Sequence, residues 1–143
     1  MNEYNVKALN DGYKNAHIAM QSLADILPAV EDKHFKEHLL LEYRAYESII
    51  AEFEDYMLKN NLNPKDINVL KKMMLWTSIK MKTFMDNSKN QIAEMMIKGT
   101  VMGVNELTAM LNEQKNLDEG VKTLLQKLLS LEEKYQEELK KFL

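Results

Sequence analysis

The sequence predicts an all-α fold, a bundle of long amphipathic helices. Three observations predict it. Only 4 Gly and 2 Pro interrupt 143 residues, so long helices are favoured over a turn-rich β architecture. Apolar residues recur at spacings of three and four along most of the chain, the mark of one buried helix face. With 45% hydrophobic residues, a chain of this length buries a core of its own and fits a single domain over residues 1–143.

In the first stretch, from Asn5 to Leu27, the apolar face is Val6, Leu9, Tyr13, Ala16, Met20, Leu23 and Leu27, and Pro28 ends the helix. A second stripe runs Phe35, Leu39, Glu42, Tyr46, Ile49, Phe53 and Tyr56. Glu42 is its one charged member. The polar segment Lys59 to Asp66 reads as a linker, with Asn63 placed to cap a helix that has Pro64 at its first position. A shorter helix is predicted from Ile67 to Met85, with Leu70, Met73, Trp76 or Thr77, Met81 and Phe84 on its apolar side. A further helix runs from about Asn90 to Leu111. Asn116 and Glu119 stand at the spacing of a capping box before the last helix, which carries Val121, Leu124, Leu128, Leu131, Tyr135, Leu139 and Phe142.

None of these stripes can be buried except against the others, which makes a bundle. Short turns make the first two long helices antiparallel neighbours, and likewise the last two. The stretch from Asn60 to Ser88 is long enough to cross the bundle from end to end. A single long crossover in mid-chain is the ferritin arrangement, so the expectation is a ferritin-like four-helix bundle with an additional helix in the crossover.

Short motifs carry a more specific resemblance. Asp11, Gly12 and Tyr13 followed by Ala16 resemble an Asp-Gly pair in the first helix of a bacterial family of small ferritin-like domains with no assigned activity. Trp76, Thr77, Ser78, Ile79 and Lys80 are similar to that family's Trp-x-x-x-Lys helix. Lys98 and Gly99 resemble a basic residue and Gly that the family follows with Glu, where this chain has Thr100.

Composition removes several function classes. The 19 basic and 22 acidic residues leave a formal net charge of -3 with no block of either sign, so nucleic acid is not an expected partner. The absence of cysteine excludes disulfides, thiolate metal sites, iron–sulfur clusters and a thiol nucleophile. The first residues lack a basic segment followed by an apolar one, and no apolar run reaches the roughly 20 residues of a membrane span. A cytoplasmic location is the expectation.

A ferritin-like di-metal site needs four carboxylates and two imidazoles: a Glu from each of two helices and a Glu-x-x-His pair from each of the other two. Glu42 stands where one such pair would begin, but Ala45 follows three residues later. Glu132 stands where the other would begin, but Tyr135 follows. Two of the six ligands are present. Folding the first two helices about their turn sets His17 opposite Ala45 and within about a turn of Glu42, while Glu132 comes near Thr100 and Val101. His17, Glu42 and Glu132 are therefore the candidate ligands of a reduced metal site, iron or manganese being the metals such donors suit. The other reading is that Glu42 and Glu132 are neutral or bonded within the bundle to His17, Tyr43, Tyr46 or Tyr135, as buried carboxyls require, and that no cofactor is bound.

The remaining features point to structure. His34 and His38 are one turn apart, a spacing open to a metal, yet Glu31, Asp32, Lys33, Lys36 and Glu37 around them read as a solvated helix start. Most of the 11 Met residues cluster in the crossover and the helix after it, where Met fills irregular gaps. Gly99 and Gly103 make a small-x-x-x-small step that close packing, such as that of Trp76, would use. The expected function is a non-enzymatic interaction or structural role, as a homodimer or other homo-oligomer. The alternatives are a metal-binding oxidoreductase or iron-handling protein, and a binder of a small apolar ligand between helices.

Overall fold

A computed structural model describes residues 1–64, 88–113 and 116–143. Among them the chain is all-helical, with four α-helices: α1 (Glu3–Ile26), α2 (Lys33–Lys59), α3 (Lys89–Glu113) and α4 (Glu119–Leu139). The expected helix from Ile67 to Met85, Trp76 included, lies outside the described residues.

Helix boundaries follow local chemistry. Asn2 caps α1, its side-chain oxygen accepting from the Asn5 amide at 2.9 Å, and Asp32 caps α2 by accepting from the Phe35 amide at 2.8 Å. Pro28 sits in a single 3-10 turn (Leu27–Ala29) that closes α1. The end of α2 is a Schellman motif: Asn61 takes a positive φ of 59°, and the Leu62 and Asn61 amides donate to the Met57 and Leu58 carbonyls at 2.8 and 3.1 Å. The expected capping box at Asn116 and Glu119 does not form. Asp118 is the cap position of α4, and its side chain makes no capping bond. Its amide instead donates to Asn5 Oδ1 at 2.9 Å, so a residue of α1 satisfies the backbone N–H at the cap position.

Cross-helix pairs give the directions. Tyr13 of α1 bonds Glu54 of α2, and Gly12 lies against Phe53. Lys127 and Tyr46 pair α4 with α2, to Glu52 and Glu132 in turn, and Asn15 reaches Gly103 of α3. Near its start, α1 lies beside the start of α4, through Asn5 and Asp118. It follows that α1 and α4 run one way and α2 and α3 the other. The main packings are α1 on α2 and α3 on α4, with α2 also meeting α4 and α1 meeting α3. Because α2 and α3 are parallel, the chain leaves α2 at one end of the bundle and enters α3 at the other.

The core is a continuous set that includes Leu9, Leu23, Phe35, Leu39, Phe53, Met57, Ile92, Leu107, Leu125, Leu128 and Leu139, each essentially without exposure. Burial of each such side chain contributes about 1.5–3 kcal/mol. The buried face of α2 is Phe35, Leu39, Glu42, Tyr46, Ile49, Ile50, Phe53 and Met57, which matches the stripe seen in the sequence except that Ile50 is added and Met57 takes the place of Tyr56. No helix among the described residues is long and apolar enough to cross a membrane.

Candidate functional site

Among the described residues four polar side chains are buried in this apolar core: Asn5, Asn15, Glu42 and Glu132. Asn5 is used in helix capping, and the other three lie in mid-bundle. The heptad-like stripes of α2 and α4 turn Glu42 and Glu132 inward, each only 2% exposed. Tyr46 lies one turn beyond Glu42, and its hydroxyl donates to Glu132 Oε2 at 3.3 Å. The Tyr46 and Tyr135 rings are 6.2 Å apart. Glu42, Tyr46, Glu132 and Tyr135 thus form a polar layer between α2 and α4.

Two more helices border the layer. A Cβ on Gly103 of α3 would lie 2.7 Å from Glu132 Oε1 and 3.4 Å from Asn15 Nδ2. That side-chain nitrogen of α1 donates to the Gly103 carbonyl at 3.2 Å. The space in mid-α3 is therefore filled by the Glu132 carboxyl. Gly99 is different: among the described residues a Cβ there meets nothing within 4 Å.

Burial sets the charge state of the layer. It pushes the Glu132 carboxyl up to about 8, with Glu106 of α3 adding repulsion and the Tyr46 hydroxyl opposing the rise. Glu42 is also raised by burial, against the pull of His38. Both tyrosines are shifted up: Tyr46 well above its usual range by burial and by Glu132, and Tyr135 to about 12 by burial and by Glu42. Burial in this apolar layer thus favours the protonated form of Glu132.

The sequence reading placed His38 on a solvated helix start, and this is corrected. The His38 side chain is 15% exposed, with Nε2 2.9 Å from Glu42 Oε2 and Nδ1 3.7 Å from Glu138. The first contact falls short of hydrogen-bond alignment. The ring also packs on Phe142 and Tyr135, with centroids 5.3 and 5.9 Å away. The C-terminal turn covers what would otherwise be an exposed site. His34 is exposed as expected.

Of the three candidate ligands, the structure brings two to one layer and leaves the third apart. His17 packs edge-on against Tyr13 at 4.5 Å, and the nearby charge is Glu54. The Gly12–Phe53 and Tyr13–Glu54 pairs fix the α1–α2 register. They set His17 nearly two turns from Glu42, on the order of 10 Å along α2. Burial lowers its pKa, and neither ring nitrogen has a hydrogen-bond partner. Among the described residues no group of three or more His, Asp and Glu side chains is arranged to hold a metal ion. Two open grooves are lined by described residues. One is at the start of α1, around Met1 and Asn10; the other lies between α2 and α4, around Ala45 and Leu131.

Comparison of the chain with family models, with curated proteins and with solved structures returns no match.

Proposed function

We propose that the chain is a ferritin-like bundle without a complete di-metal carboxylate site, acting as a structural or interaction protein and not as a redox enzyme. The observation that carries this is the pairing of the interior carboxyls within the bundle. Glu132 is bonded by Tyr46, and Glu42 is faced by His38. A di-metal site needs four carboxylates and two imidazoles in the interior, and this layer sets Tyr135 three residues after Glu132 and Ala45 three residues after Glu42, where the two imidazoles would stand. The parallel course of α2 and α3 supports the ferritin-like topology, in which one long connection joins the second and third helices. Association of copies as a homodimer belongs to the same reading.

Elemental analysis of protein purified without chelator tests it, alongside Glu42→Ala and Glu132→Ala variants. The expected result is no iron, manganese or zinc near stoichiometry. Metal present near one per chain and absent from both variants would overturn the reading and restore the iron-handling alternative.

A further inference from the structure

The outer face of α2 is exposed along most of its length. Leu41, Arg44, Ser48 and Ala51, at alternating spacings of three and four, are all exposed and form one stripe opposite the buried stripe of the same helix. Leu40 and Glu47 flank this stripe on one side and Ala45 on the other. Among the described residues, three of the seven large exposed apolar side chains stand on this helix, namely Leu40, Leu41 and Leu58, so the uncovered apolar surface is concentrated there.

The charges on this face are also unused. Arg44 is the sole arginine among the 19 basic residues, and arginine is the basic residue that protein interfaces favour. Arg44 and Glu47 are both exposed, and neither forms an ion pair or hydrogen bond among the described residues. Beside the stripe lies the open groove between α2 and α4, about 370 Å³ in volume, with Ala45, Ile49 and Leu131 as its apolar lining.

We propose that this face binds a second copy of the chain, α2 against α2 in antiparallel, with Leu41 of each copy entering the α2–α4 groove of the other. The register follows from a two-fold axis level with Ala45 and Tyr46, near the middle of α2 (Lys33–Lys59). Leu41 then comes level with positions 49 and 50 of the second copy, where Ser48, Ile49 and Leu131 line the groove. Leu41 stands on the groove side of the stripe, as do Ala45 one turn on and Glu52 three turns on. On the other side Leu40 comes level with Ala51, a small residue that admits close approach.

Charge selects the direction. In the antiparallel pair Arg44 comes level with Glu47 of the second copy, and Glu47 with Arg44, giving two reciprocal ion pairs from one surface. A parallel two-fold pair would set Arg44 against Arg44 and Glu47 against Glu47, which like charge disfavours. Towards the ends the charge is mixed: Asp55, already paired with Lys59, comes level with Lys36 and beside Glu37. Crossing helices diverge towards their ends, so the centre carries the contact. A helix of 27 residues is about 40 Å long and about 10 Å wide, so α2 offers about 400 Å², to which the α4 flank of the groove adds. That is at the low end beside the roughly 800 Å² per partner of a stable dimer, so the pairing is expected to be reversible and to depend on concentration.

This interface deepens the proposed function and rests on the association of copies named there. Sedimentation velocity over a concentration series is expected to show a monomer–dimer equilibrium for the wild-type chain. Leu41→Glu, at a position 61% exposed, is expected to keep the fold by circular dichroism and to weaken the dimer by about tenfold or more, because it drives a charge into an apolar groove. Arg44→Glu and Glu47→Arg each set like charges against each other across the axis and are expected to weaken it by a similar factor. Mixed in equal amounts, these two variants are expected to associate again, since each then meets its opposite; an effect confined to one helix would not be rescued by mixing. Wild-type protein that stays monomeric throughout overturns both this interface and the homodimer of the proposed function. A dimer untouched by Leu41→Glu, or a mixture no more associated than its components, overturns the interface alone.

Discussion

His38 and Glu42 occupy one face of α2 a turn apart, and each limits what the other can do. The imidazole lies at 2.9 Å from a carboxyl that is 2% exposed, while Phe142 and Tyr135 shield it from water. Removing the ring by His38→Ala takes away the polar group against Glu42 and leaves a void beside Phe142 and Tyr135, a loss of about 1–3 kcal/mol. With Glu42→Gln already in place the same change is expected to cost less, because the two side chains lie in direct contact. Urea unfolding of the two single variants and the double one is expected to give a coupling of about 1 kcal/mol. Simple addition would mean the two side chains act separately. The His38-x-x-x-Glu42 spacing was visible in the sequence, but the burial of His38 was not. It depends on Glu138 and Phe142, about a hundred positions away, folding back over a helix start crowded with charges.

At the scale of the helices, two glycines of α3 one turn apart have opposite reasons to be there. Each costs about 1 kcal/mol against alanine in a helix interior. At Gly99 a methyl meets nothing among the described residues, so Gly99→Ala is expected to raise stability by about that amount. At Gly103 the methyl would stand 2.7 Å from Glu132 Oε1 and push the carboxyl out of its layer, as overpacking does. Gly103→Ala should fall below Gly99→Ala by about 1 kcal/mol or more in chemical denaturation. Equal stability would show that the carboxyl has another place to go. The spacing of the two glycines was legible from the sequence, but not which of them faced a neighbour, because that depends on the rotation of α3 against α4. The same holds for α1: its apolar stripe was plain, whereas the inward turn of Asn15 became evident only when α3 stood beside it.

For the molecule as a whole, burial is distributed unevenly. On α3 only Ile92, Ala93, Met96 and Leu107 are buried, against twice that number on α2. Local opening follows the apolar surface a segment releases. Amide hydrogen exchange is therefore expected to be faster along α3 than along the centre of α2, and uniform protection across both helices would contradict this. The helical class and the order of the long helices could be read from periodicity and turn residues, since those are local properties of the chain. The levels at which residues face each other could not. The turn between α1 and α2 sets His17 against the wrong stretch of α2 when the stagger of the two helices is ignored, and the Gly12–Phe53 contact that fixes that stagger involves residues forty-one positions apart.

A polar layer in an apolar bundle also measures position along the axis. Sliding α4 by one turn, about 5.4 Å, would cost little among Leu128, Leu125 and Leu139, which can exchange neighbours of their own kind. It would carry Glu132 past both the Tyr46 hydroxyl and the Gly103 notch and strand it among hydrocarbon. A single buried carboxyl thus discriminates between alignments that oil-like side chains alone would leave nearly equal in energy. On this reading Glu132 gives up some stability in exchange for a unique registry of the four helices.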